Sequence, residues 1–136
     1  MGMDVYGRNP SDESGHYFRA SIWSWGPLYQ QIVNRCADLL DTDVLIAMAY
    51  NDGAGPDDQD TCTRMAERFE SALVVHQDGF TAPAELTRVT EEGRIVSREE
   101  IARNPHLKTY SPYSICREHV REWITFLRHC GGFEVW

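Results

Sequence analysis

The stretch that decides the fold class runs from Asp57 to Gln77, DDQDTCTRMAERFESALVVHQ. Cys62, Met65, Ala66, Phe69, Ala72, Leu73 and His76 recur at three- and four-residue steps, which is one face of an amphipathic helix. The aspartates at 57 and 58 suit a helix start, where a carboxylate accepts free backbone amides. Gly79 supplies a stop. A helix of this length needs partners for its apolar stripe, and two more such stripes lie on either side. From about Pro27 to Leu40, residues Leu28, Tyr29, Ile32, Val33, Cys36, Leu39 and Leu40 make one face, with Pro27 suited to the first turn. After Ser114, residues Cys116, His119, Val120, Trp123, Ile124, Leu127 and Cys130 make another, ended by Gly131 and Gly132.

The remaining segments read as strands and turns. Residues 3–8 and 16–22 are rich in strand formers and flank a turn holding Asn9, Pro10 and Gly15, so they are expected to pair. Residues 86–96 read as a hairpin, and Phe133–Trp136 as an edge strand. Ser97 and Glu100 carry capping-box spacing ahead of a short helix that ends before Pro105. Residues 44–49 form an apolar run too short to classify by period, either a buried strand or a buried helical turn. Residues 50–56 are a loop. These elements predict an α+β fold, mostly helical. One domain over residues 1–136 is expected, with three main helices beside a small antiparallel sheet made from the termini and the middle hairpin.

Charge is distributed unevenly over the 136 residues, whose formal net charge is −8. Seven of the 21 acidic residues (Asp38, Asp41, Asp43, Asp52, Asp57, Asp58 and Asp60) fall in one stretch without a Lys or Arg, leaving the remainder at 14 acidic against 13 basic. An acidic chain is unsuited to direct nucleic-acid binding, which needs a basic surface to release counterions. A local acidic excess instead makes a surface field suited to a basic groove on a protein partner. Asp38, Asp41, Asp43, Asn51, Asp52, Asp57, Asp58 and Asp60 are the candidate contact residues. Helix capping is the structural account of part of the same run. Trp23 and Trp25 join the candidates as an exposed aromatic anchor, the other reading being that they pack the first helix onto the third.

Metal and catalytic readings are weaker. Cys116 and His119 share a helical face, but Cys130 lies roughly 20 Å further along at 1.5 Å per residue, so one ion does not reach both ends. All four cysteines fall on apolar faces, where a free thiol acts as a small hydrophobe. No oxyanion loop flanks a Cys116–His119 pair. No cofactor, metal site or catalytic residue is therefore expected. The Asn51–Gly55 loop, with Asp52 and its neighbouring aspartates, leaves open an alternative of another class, a small metal-dependent enzyme or cation-binding protein. No apolar run is long enough for a membrane span, and the N-terminus lacks a basic start and apolar stretch, so a cytoplasmic protein with reduced thiols is expected.

Several local patterns occur together. Met3-Asp4-Val5-Tyr6-Gly7, Pro10, Gly15, Tyr17-Phe18-Arg19, Trp23-x-Trp25 and Pro27-Leu28 lie at the N-terminal end. Tyr50-Asn51-Asp52-Gly53-Ala54-Gly55 lies at the centre and Phe126-Leu127-Arg128-x-x-Gly131-Gly132-Phe133 at the close. Together they resemble a family of small uncharacterised proteins from bacteria and their phages. Gly79–Lys108 carries no motif of that pattern. The resemblance transfers no catalytic residue. It implies a phage association, and with it an acidic inhibitor that blocks a host defence complex by covering its nucleic-acid channel.

Overall fold

The computed structural model describes residues 2–81, 88–92, 94–109 and 113–136, and its architecture is α+β. Strand β1 (Gly2–Gly7) pairs antiparallel with β2 (Tyr17–Ser21), Val5 opposite Phe18, as the two flanking strand-forming segments predict. The turn between them folds under the end of the last helix. The Asn9 and Ser11 N–H groups donate to the carbonyls of Cys130 and His129 at 3.0 and 2.8 Å. Gly15 sits so close to that helix end that a Cβ there would lie 2.0 Å from the His129 carbonyl oxygen.

Helix α1 (Ile22–Cys36) begins five residues before the expected start at Pro27. Ser21 is the reason: its hydroxyl accepts the Ser24 N–H at 3.3 Å, so the cap precedes both tryptophans. Pro27 lies inside the helix, where it removes one backbone bond but buries its ring. The helix closes in a 3-10 turn at Ala37–Leu39 rather than continuing to Leu40. The ambiguous apolar run is helical as far as Ala47, α2 (Thr42–Ala47), with Val44 and Leu45 half-buried and Ile46 exposed, while Met48 just past the helix is fully buried. Helix α3 (Gln59–Val75) matches the 57–77 reading: Cys62, Met65, Ala66, Phe69, Ala72 and Leu73 are buried. His76 instead lies past the helix end and is exposed.

Two short strands, β3 (Gly79–Thr81) and β6 (Ser114–Cys116), pair antiparallel where the sequence pattern predicts a helix stop and a helix start. Between them, β4 (Arg88–Val89) pairs with β5 (Ile95–Val96), within the expected hairpin, and α4 (Arg98–Arg103) follows Ser97. Residues 86–87 and 93 of that hairpin lie outside the described residues. Ser97 accepts the Glu100 N–H at 3.1 Å, but the Glu100 carboxylate turns to Arg94 instead of back to the cap. Helix α5 (Arg117–His129) then leads through Gly131 and Gly132, both at positive φ, into β7 (Phe133–Val135), which pairs with β1. The terminal sheet has the order β2-β1-β7, and among the described residues the β4–β5 hairpin does not join it, so the expected shared sheet is two sheets, beside the separate β3–β6 pair.

The core forms where α5 packs against α3, and where α1 and α5 pack against the inner face of the terminal sheet. Its centre is Trp123, fully buried, with Phe18, Phe126 and Phe133 around it at ring-centroid distances of 5.0, 5.7 and 5.5 Å. Cys36, Cys62 and Cys130 are buried, whereas Cys116 is exposed because it belongs to β6 and not to the inner stripe of α5.

Candidate partner-binding site

All seven aspartates of the acidic stretch are exposed. Chain geometry gathers four of them. Asp38 stands on the 3-10 turn after α1, Asp41 at the N-cap of α2, and Asp57 and Asp58 immediately before α3. Together they line one cleft of about 450 Å³, floored by Leu40, Val44 and the backbone of Gly55 and Pro56. Helix starts and turns recur every few residues here, so each carboxylate is delivered from a different local frame to the same opening.

The stretch holds no basic residue in sequence, yet the fold brings arginines to it. Arg68 of α3 pairs with both oxygens of Asp38, the Nη2–Oδ2 distance being 2.8 Å, and also donates to the Arg35 carbonyl at 2.6 Å. The Arg68 guanidinium holds the Asp38 carboxyl below the usual carboxylate range. Arg64 pairs with Asp60 at 3.2 Å, one turn apart on α3. Arg8 lies on the cleft wall. It donates to the carbonyls of Phe133 and Gly55 at 3.1 and 3.3 Å, and it pairs with Glu134 at 2.9 Å. Two of the seven carboxylates are thus neutralised within the chain. Asp41, Asp43, Asp52, Asp57 and Asp58 have no arginine or lysine ion pair among the described residues.

Asp58 has a second duty. Its carboxylate accepts the Thr61 N–H at 2.8 Å and the Thr61 hydroxyl at 2.8 Å, capping α3. The capping account of the acidic run therefore holds for Asp58. Asp41 occupies an N-cap position without a side-chain bond, so capping does not use its charge.

Asn51, Asp52, Asp43 and Asp60 do not line the cleft. The loop after Tyr50 is built into the sheet rather than left open: the Gly53 N–H donates to the Val135 carbonyl at 2.7 Å and Ala54 bridges to Val135. Gly53 takes a positive φ under the Trp136 ring, where a Cβ would lie 2.6 Å from a ring carbon. Among the described residues, no three His, Cys, Asp or Glu side chains converge as a metal-binding group. Trp23 and Trp25 part company on the helix. Trp25 is 4% exposed and packs edge-on to Trp123, which makes it a core residue and not a surface anchor; Trp23 is 41% exposed beside Tyr113.

Compared with family models, curated proteins and solved structures, the chain matches none. Among the described residues, no helix is long and apolar enough to cross a membrane. Sequence reasoning missed Arg8 and Arg68 as members of this region. Both lie far along the chain from the residues they touch, and no local pattern signals a pairing at such separation.

Proposed function

We propose that the protein is a non-enzymatic, cytoplasmic binding module whose cleft ahead of α3 receives basic side chains of a protein partner. The observation that supports this reading is the convergence of Asp38, Asp41, Asp57 and Asp58 on one opening, three of them without an internal ion pair among the described residues. Carboxylates so placed meet Lys and Arg that otherwise hold phosphates, so binding competes with DNA or RNA for the same groove. The sequence resemblance to small proteins of bacteria and their phages adds the biological setting: an inhibitor that mimics nucleic acid and blocks a host nucleic-acid-handling defence complex. Part of the acidic field is already spent on Arg68 and Arg64, which places the emphasis on the cleft and not on the whole 38–60 stretch.

The test is affinity capture of nucleic-acid-handling proteins by the wild type and by a variant carrying Asp41→Asn, Asp57→Asn and Asp58→Asn. Asn keeps the α3 cap, since it ranks with Asp at that position. Capture is expected to fall in the variant, to weaken from low to high salt, and to be displaced by an added oligonucleotide. Undiminished capture by the variant rejects the cleft as the contact surface.

A further inference from the structure

The first turn of α3 and the turn that follows α5 are pinned together at several points. The Gln59 side-chain amide donates to the Leu127 carbonyl at 2.8 Å and accepts the Gly131 N–H at 2.7 Å, so it brackets Cys130. The Phe133 N–H donates to the Pro56 carbonyl at 2.9 Å. Gly132 lies so near that a Cβ there would stand 2.7 Å from the Asp57 carbonyl carbon. Cys62 is one helical turn beyond Gln59 on the same face of α3. This apposition sets its thiol against that of Cys130. The two thiols are hydrogen-bonded to each other, and the Cys130 Sγ in turn donates to the Leu127 carbonyl at 3.5 Å. Both residues are fully buried, and both thiols are free.

A thiol that serves only as a small hydrophobe needs apolar neighbours and no sulfur partner. This pair has instead the arrangement of an attacking and a resolving thiol. The hydrogen bond with Cys62 holds the Cys130 thiol below its ordinary value of 9.0, opposed by burial and aided by the Gly132 N–H. Cys130 is therefore the sulfur that supplies the thiolate. Burial keeps bulky reagents out, whereas a molecule as small as hydrogen peroxide enters through local openings that precede global unfolding.

We propose that Cys62 and Cys130 are a reversible oxidation site, converted to an intrachain disulfide by a hydroperoxide. With hydrogen peroxide, the Cys130 thiolate attacks one oxygen, the O–O bond breaks, and the departing hydroxide takes up the Cys130 proton as water. Cys130 is then a sulfenic acid. The Cys62 sulfur attacks it, the S–S bond forms and the S–O bond breaks, and the hydroxide leaves with the Cys62 proton as a second water. Two thiols are oxidised and one peroxide is reduced to two waters. Two equivalents of a small thiol reverse the bond by exchange. Neither cysteine lines the acidic cleft, so the site is independent of the binding role proposed there.

The full chain carrying Cys116→Ser, fully reduced, tests it, because that change removes the exposed competing thiol. Native protein is treated with hydrogen peroxide, then unfolded and alkylated without reductant. The thiol count is expected to fall from three to one, with the mass lowered by two hydrogens and a peptide map joining Cys62 to Cys130. The urea midpoint should rise on oxidation, since the bond constrains the unfolded chain, and dithiothreitol should restore both readings. Adding Cys62→Ala, with circular dichroism confirming the fold, should abolish the loss of hydrogen and the rise in midpoint. If that variant fails to fold, the crosslink map of the chain with both thiols decides alone. A count that stays at three, a disulfide engaging Cys36, or oxygen gained without a crosslink overturns the proposal.

Discussion

Trp25 of α1 stands edge-on to Trp123 of α5, ring centroids 6.2 Å apart and planes at 88°. The contact ties the first helix to the centre of the core, and Trp123 also touches Phe18, Phe69, Phe126 and Phe133. Both indole N–H groups are buried without an acceptor among the described residues. Replacing Trp123 by Ala removes every one of these ring contacts and opens a cavity, so a loss of about 3 to 5 kcal/mol is expected in urea unfolding. Trp123→Phe keeps most of the packing and deletes the unpaired N–H, so it is expected to cost less than half as much. Equal costs for the two variants would sink this account of the core.

How far the chain could be read in advance follows from the range of each interaction. Helix α3 was legible because its apolar period and its Asp58 cap both act within a few residues. The β1–β2 pairing was legible because a turn-rich segment joins its two strands. Trp25 and Trp23 were not separable, because their positions depend on where the helix starts. As a strand they share a side; on a helix starting at Ile22 they point apart. The β3–β6 pair escaped because three-residue strands carry no readable alternation and their pairing joins distant segments. In the cleft the carboxylates were legible, but Arg8 and Arg68 were not, for the same reason of separation.

Gly15 is fixed by a close approach to the backbone. A Cβ there would overlap the His129 carbonyl, and neither the short 3-10 turn Glu13–Gly15 nor the end of α5 can retreat without breaking the Ser11-to-His129 bond of 2.8 Å. Gly15→Ala is expected to destabilise by about 1 to 3 kcal/mol, as overpacking does, measured by thermal or urea unfolding. An unchanged melting temperature would show that the turn is free to shift.

Capping and binding can be separated at neighbouring aspartates. Asp58→Ala removes both bonds to Thr61 and is expected to cost about 1 kcal/mol. Asp57→Ala removes a side chain with no bond among the described residues, and a change within about 0.5 kcal/mol is expected. Urea midpoints of the two variants decide it. If Asp57→Ala proves as costly as Asp58→Ala, the cleft carboxylates are structural supports and not a reserved contact surface.

Thiol reactivity should divide the four cysteines three to one. Burial pushes the Cys36 thiol up to about 11, and it lies fully inside the core. The Cys62 thiol is also pushed up, first by its hydrogen bond with Cys130 and then by burial. Cys116 alone is exposed. At pH 8 an aromatic disulfide reagent is expected to titrate one thiol in the native protein and all four after unfolding. Cys116→Ser should abolish the fast reaction while leaving the melting temperature unchanged. A second fast thiol would mean that the α3–α5 packing opens readily.

Stability should depend on pH in the acid range through paired carboxyls. The Arg68 hydrogen bond lowers Asp38 from its ordinary value of 3.8, and the Arg94 hydrogen bond lowers Glu100 from 4.5. The Glu13 N–H, then the Ser14 hydroxyl, lower Asp12. Each group ionises more readily in the folded chain than in the unfolded one. Its contribution is therefore complete above the unfolded value and disappears as pH falls through the folded value. The melting temperature should be flat with respect to these groups above about pH 5 and decline below about pH 4. Asp38→Asn removes one of the three and should make that decline shallower without altering its onset for the other two. Because these pairs are exposed, 0.5 M salt should shrink the Asp38 effect. A decline as steep in Asp38→Asn as in the wild type would place the acid sensitivity elsewhere.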